Sequence, residues 1–201
     1  MKQTLNLLFP TPLVQTNIGV DYVIEKVGFK RPLSDNGWIS DDSKYLDRNK
    51  KLKNTIENEI ETYLREILRL KNTVYLKHQS SWVLVHTKGD YSHKHYHQNS
   101  WLSGIYYHQI PPNSGNVTFF ASPPSHGWTS SQMSPYTEIE EYNPLNSSLF
   151  VVEPKAGDLL LFPSHVEHSS GVNVTDYDRS LVSFNYSLHG TWGDSTSRIT
   201  I

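Results

Sequence analysis

Leu52, Ile56, Ile60, Tyr63, Leu64, Ile67 and Leu68 recur at intervals of three and four between charged residues over Asp42–Leu70, the stripe of an amphipathic helix. The spacing predicts one long helix over 43–70. Ahead of it, a shorter helix is expected over Asp21–Gly28. Leu7–Val14 should be extended, because Pro10, Pro12 and the residues before them avoid helical geometry. From residue 73 the period changes. Thr73–Lys77, Ser81–Thr87, Trp101–Gln109, Val117–Ala121, Ser148–Val152, Asp158–Phe162 and Ser180–Leu188 are short runs of Val, Leu, Tyr and Phe, separated by Gly, Pro, Asn and Ser. They predict an antiparallel sandwich or barrel behind the helix, an α+β chain.

At 201 residues the chain is long enough for one core, so residues 1–201 are read as a single domain: an extended and helical segment 1–72, a β core 73–190 and a tail 191–201. Hydrophobic residues at 36% with five Trp, twelve Tyr and seven Phe exclude a disordered chain. A net charge of −2 gives no nucleic-acid patch, and the basic run Arg48, Lys50, Lys51, Lys53 is answered by Glu57, Glu59 and Glu61. The apolar runs Leu149–Val152 and Leu159–Phe162 are far too short to span a membrane. With Pro10 and Pro12 interrupting the N-terminal apolar stretch, no secretory leader is expected and the cytoplasm is the expected location. The chain has no cysteine, which removes disulfides, thiolate metal sites and thiol nucleophiles and leaves metal chemistry to His, Asp and Glu.

Histidines supply the candidate chemistry. His95 and His97 lie two apart, so on an extended backbone both imidazoles face one side, within reach of one metal ion; His93 continues the alternation. Gly157-Asp158 reads as a turn into the apolar strand Leu159–Phe162, which stops at Pro163 and delivers His168 just beyond its end. His168 can thus complete a three-histidine face that leaves other coordination positions open, and imidazole suits iron, zinc, copper and nickel alike. Arg179 heads the run Arg179–Asn185 and shares a strand face with Leu181, Ser183 and Asn185. It is either a carboxylate-binding arginine or a surface arginine paired with Asp176 or Asp178.

A His-x-His pair, a distal histidine after an apolar strand and an arginine some ten residues later resemble the double-stranded β-helix of the Fe(II)/2-oxoglutarate-dependent oxygenases. With Leu8-Phe9-Pro10-Thr11-Pro12, Trp82, Gly89-Asp90, Leu102–Tyr107, Phe162-Pro163-Ser164 and Ser183-Phe184-Asn185, the chain resembles a family of such enzymes common in bacteria and phages, from residue 8 to about 188. The resemblance implies a cupin-like jelly roll with an N-terminal helical brace. It implies Fe(II) on His95, His97 and His168, and 2-oxoglutarate held by Arg179 and Tyr107, with Ser103 adding a hydroxyl and Asn185 lining the pocket. It also implies hydroxylation of an unidentified substrate by O2, with release of succinate and CO2. Two departures stand out: His97 replaces the usual carboxylate, and Leu181 stands where many relatives carry a hydroxyl. Gly89-x5-His95-x-His97 and Gly157-x5-Pro163 also resemble the two cupin motifs, which makes a cupin-type metal enzyme or binder the alternative. The cupin glutamate is missing, its place taken by Gln98–Trp101. Residues 122–147, with Trp128, Met133, Tyr136 and Tyr142, read as a long connection, either a lid over the pocket or a surface insertion.

Overall fold

The computed structural model describes residues 3–7, 10–26, 28–31, 37–121 and 138–201. The helical stripe and the change to period two both appear, in a different subdivision. The long helix is α1 (Tyr45–Arg48) and α2 (Lys50–Thr62), closed by a π-helical turn, Tyr63–Ile67. The break comes at Asn49, whose side chain accepts from Leu52 N at 3.3 Å as the cap of α2 and donates to Val23 O at 2.9 Å. The helix expected over 21–28 does not form in residues 21–26. There Tyr22 Oη bonds Thr55 Oγ1 and Glu25 N donates to Tyr45 Oη, so the segment is tied to the helices by side chains instead of by its own turns.

The strands preceding the helices are β1 (Val14–Asn17), β2 (Phe29–Lys30) and β3 (Trp38–Ser40). Those following are β4 (Val74–His86), β5 (Leu102–Gln109), β6 (Val117–Phe120), β7 (Leu149–Val152), β8 (Asp158–Pro163), β9 (His168–Ser170), β10 (Arg179–Trp192) and β11 (Ile199–Thr200). The two runs expected over 73–87 are one strand, β4, because β10 pairs along its whole length. The larger sheet runs β1-β8-β5-β10-β4-β3-β2, with β11 on the far end of β10, and the smaller runs β7-β6-β9; every pairing is antiparallel. The segment before residue 72 therefore braces the core with strands as well as helices. Of the expected lid, residues 122–137 lie outside the described residues.

The larger sheet is buried on both faces, which explains its near-continuous apolar runs. Leu102, Tyr106, Leu159, Leu161, Val182 and Phe184 face Leu52, Ile56, Ile60 and Leu64 of the helical layer. Ile105, Tyr107, Leu160, Phe162 and Leu181 face Val117, Phe119 and Val152 of the smaller sheet. Asp158 fixes the turn into β8, accepting from Lys155 N at 2.9 Å, and holds β1 through Gln15 and Asn17 at 3.0 and 2.9 Å.

At Gly104 the helical side of the sheet has no room. A Cβ there would stand 2.3 Å from Phe184 Cζ and 2.8 Å from the Leu160 carbonyl oxygen. Gly104→Ala should therefore destabilise the protein by roughly 1–3 kcal/mol, the usual cost of overpacking. Urea unfolding measures this, and a wild-type midpoint would show that the sheet and Phe184 yield freely at this point.

Candidate active site

Between the two sheets lies a cavity of about 50 Å³, walled by β4, β5 and β10 on one side and by β6, β9 and the segment before β5 on the other. That segment, residues 89–97, is no regular strand, yet it pairs antiparallel with residues 164–173. Gly89 N donates to Asn173 O at 2.7 Å, Asn173 N to Asp90 O at 2.9 Å, Ser170 N to Ser92 O at 3.1 Å and His97 N to Ser164 O at 3.0 Å. In the middle, His95 and His168 exchange both backbone bonds, at 2.9 and 2.8 Å. Buried Asp90 anchors one end, accepting from Thr87 N and Oγ1 at 2.9 and 2.7 Å and pairing with Arg31. Lys94 bonds Glu167 across the pair at 2.6 Å.

This pairing brings His95, His97 and His168 together, with one candidate ligand atom from each within 4.8 Å of the others. Ring centroids lie 4.4 Å apart for His95–His168, 5.2 Å for His95–His97 and 5.3 Å for His97–His168. His95 Nδ1 sits 2.7 Å from His93 O and His168 Nδ1 sits 3.0 Å from Val166 O. A carbonyl can only accept, so the ring proton is placed on Nδ1 and the Nε2 lone pair is left free, the arrangement typical of metal-ligating histidines. Burial, then the neighbouring His95, lowers the His97 pKa to about 4; burial, with His95 adding to it, lowers that of His168 to about 3. Both rings are neutral at pH 7, the form that binds a metal. Phe162 packs its ring edge-on to His168 at 4.8 Å, and Trp82 packs against His97 at 5.8 Å. His93 stands outside the cluster, contributing the carbonyl that orients His95 and placing its ring against Tyr91 at 4.7 Å.

Arg179 begins β10 and is 1% exposed. Its Nε donates to His86 Nδ1 at 3.2 Å, Nη1 to Ser114 O at 2.6 Å, and Nη2 to Ser170 Oγ at 2.9 Å and Gly171 O at 3.1 Å. All four partners are neutral. Asp176 pairs with Lys88 and Asp178 with Lys26, so the surface-arginine alternative is set aside. Burial, then the Arg179 charge, pushes His86 down to about 3, leaving it a neutral acceptor toward the guanidinium, with Nε2 3.3 Å from Ser92 Oγ. Gly115 has φ +98°, and a Cβ on it would come within 2.6 Å of Arg179 Nη1, so glycine lets this turn close over the cation. Tyr107 lines the cavity, its hydroxyl pKa raised by burial against a smaller opposing effect of Arg179, so it stays protonated and can donate.

Ser103 and Asn185 lie on the same strand faces as Tyr107 and Arg179, yet neither lines the cavity. Ser103 Oγ is 2.7 Å from Asn185 Oδ1 and 2.8 Å from Ser164 Oγ, and Asn185 Nδ2 donates to Ser80 Oγ. They buttress Ser164, whose carbonyl receives His97 N. The polar cavity residues that sequence reasoning passed over are His86, Ser92, Ser169 and Ser170. The available signal was alternation: His86 ends the series Trp82, Leu84, His86, and Ser170 stands two beyond His168.

Fold and site together define a jelly roll fit to hold one transition-metal ion on three imidazoles. Residues 80–185, just over half of the chain, match the family described as "Putative 2OG-Fe(II) oxygenase". The chain belongs to that family and is an enzyme that uses Fe(II) and 2-oxoglutarate, with O2 and a substrate as its other partners. This decides between the two resemblances in favour of the oxygenase. No curated protein matches the chain in sequence. Among solved structures it is similar to a Pseudomonas putida prolyl-4-hydroxylase, at 12% identity and TM-score 0.55 over 88% of this chain and 92% of that one. It is also similar to the non-heme alpha ketoglutarate dependent epimerase SnoN of nogalamycin biosynthesis, at 15% and 0.56 over 90% and 81%. HygX from Streptomyces hygroscopicus, solved with nickel and 2-oxoglutarate bound, matches at 12% and 0.54 over 88% and 83%. At such identities the likeness is one of fold. No helix among the described residues is long and apolar enough to cross a membrane.

The buried histidines set a pH dependence. Unfolded, His86, His97 and His168 take up protons near pH 6.5; folded, they do so only near 3 or 4. Stability of the metal-free protein should fall as pH drops through this window, by up to about 1.4 kcal/mol per unit for each group. His86→Gln removes one of the three, so its melting temperature should decline less steeply between pH 6.5 and 5; a slope equal to wild type would mean that His86 is already protonated in the fold.

Proposed function

We propose that the enzyme hydroxylates its substrate at a metal held by Nε2 of His95, His97 and His168, with the far carboxylate of 2-oxoglutarate bonded to Arg179 and Tyr107. One observation carries the assignment of the cosubstrate end: a guanidinium 1% exposed that meets no carboxylate among the described residues. Burying such a charge without a counter-ion costs several kcal/mol, which an anionic ligand would offset. Two of its partners, His86 and Ser170, line the cavity that the three imidazoles also line. Three neutral donors around a dication at one end and a lone cation at the other suit a dicarboxylate. When bound, Fe(II) and 2-oxoglutarate would supply the electrons that reduce and activate O2, one oxygen atom going into succinate as CO2 is released and the other into the hydroxyl group on the substrate.

The chain's own residues position and insulate that chemistry. The carbonyls of His93 and Val166 orient two of the ligand rings. Leu84, Ile105, Val117 and Leu181 give the cavity apolar walls that limit water. His97 in place of a carboxylate leaves the ligand set without negative charge, so iron affinity is expected below that of a His-x-Asp site. Ferrous iron suits a reducing compartment, which supports a cytoplasmic location.

Under anaerobic conditions the Fe(II) protein should develop the visible charge-transfer colour of keto-acid chelation on addition of 2-oxoglutarate. Arg179→Gln should weaken that binding by roughly 2–5 kcal/mol while keeping iron, the usual cost of breaking a buried charge pair. His168→Ala should lose stoichiometric iron, whereas His165→Ala should keep it. Full iron retention in His168→Ala, or unchanged 2-oxoglutarate affinity in Arg179→Gln, would contradict the assignment.

A further inference from the structure

Leu181 faces the cavity opposite Tyr107, and its apolar side chain offers a ligand there no hydrogen bond. A hydroxyl stands nearby. Ser170, on β9 and two residues beyond His168, lines the same cavity. A serine hydroxyl has two lone pairs and one proton. Ser170 Oγ accepts from Ser92 N at 2.8 Å and from Arg179 Nη2 at 2.9 Å. Neither donor has a lone pair with which to reverse the bond, since an amide N–H and a guanidinium only donate. Both lone pairs of the oxygen are therefore engaged, and Ser170 can act toward the cavity solely as a donor. Its proton meets no acceptor among the described residues. The cation drawing on the oxygen also makes that O–H a stronger donor than a free serine.

We infer that Ser170 is a binding residue for the cosubstrate: its Oγ–H donates to the far carboxylate of 2-oxoglutarate beside Arg179, in place of the bond that Leu181 cannot make. The inference rests on the assignment of Arg179 above. It also gives the cavity a selectivity. Tyr107 and Ser170 bring hydroxyl donors to the cavity wall, with the buried Arg179 charge directly behind Ser170, so this end favours a group that only accepts and carries negative charge, such as a carboxylate, over an amide or hydroxyl that brings its own proton.

The test compares two keto acids on the anaerobic Fe(II)-loaded protein, with dissociation constants read from the visible charge-transfer band and from calorimetry. One is 2-oxoglutarate. The other is 2-oxopentanoate, which carries a methyl group where 2-oxoglutarate has its far carboxylate. Ser170→Ala should weaken 2-oxoglutarate about tenfold or more, the range for a hydrogen bond to a charged group, and should leave 2-oxopentanoate unchanged. Ser170→Thr, which keeps the hydroxyl, should recover most of the affinity, and iron stoichiometry should match wild type in both. Wild-type affinity for 2-oxoglutarate in Ser170→Ala, or an equal loss for both keto acids, would overturn the role of Ser170. Arg179→Gln run in parallel separates the two levels. If it loses 2-oxoglutarate while Ser170→Ala does not, only Ser170 is wrongly assigned; if neither variant loses it, the cosubstrate site itself lies elsewhere.

Discussion

The pair of backbone hydrogen bonds between His95 and His168 is the constraint on which the candidate active site depends. It joins two segments that are otherwise loop and short strand, and it sets the register in which residues 89–97 run against 164–173. Period-two alternation does the rest: with His95 opposite His168, His97 falls on the same side, and on the other segment so does Ser170. A slip of one residue would turn His95 and His97 away from His168 and pull Ser92 N off Ser170 Oγ. The device that assembles the ligand set thus also places the hydroxyl beside Arg179. Asp90 holds that register at one end of the paired segments, and the Lys94–Glu167 pair crosses diagonally over the central bonds.

The rest of the architecture makes this register possible and isolates what it creates. Because the larger sheet is covered by helices on one face and by the smaller sheet on the other, its central strands can carry apolar residues on both faces, as β8 does, and the cavity between the sheets is largely screened from water. Screening has opposite consequences for the two kinds of polar group inside it. The imidazoles of His97 and His168 respond by staying neutral, which readies them for a metal. Arginine cannot do so, and its guanidinium keeps its charge in a shell of neutral acceptors that includes a histidine. The same low polarity that prepares one end for a cation prepares the other for an anion.

Much of this was legible in the sequence because it depended on local rules. The stripe Leu52–Leu64 fixes an element and its buried face by periodicity, and the apolar run Leu159–Phe162 is bounded as a doubly buried strand by the Gly157-Asp158 turn and Pro163. His95, His97, His168 and Arg179 stand out because two-residue spacing and strand ends are visible without a fold. What was hidden depended on distant partners. Nothing near Asn49 says that it caps a second helix and bonds Val23, and the pairing that makes β4 a single strand belongs to β10. Ser103 and Asn185 share the right strand faces, yet they satisfy each other at a point beyond the cavity, and parity cannot tell how far along a strand a pocket extends. His86 escaped notice because its meaning comes from Arg179, 93 residues away.

The central claim is that three imidazoles, and no carboxylate, hold the iron through Nε2. Anomalous diffraction at the iron edge, from anaerobic crystals grown with Fe(II) and 2-oxoglutarate, addresses it directly. One peak is expected, within about 2.0–2.2 Å of Nε2 of His95, His97 and His168, the usual metal–imidazole distance. A peak displaced from any one of these nitrogens, or one completed by an aspartate or glutamate of the chain, would contradict it.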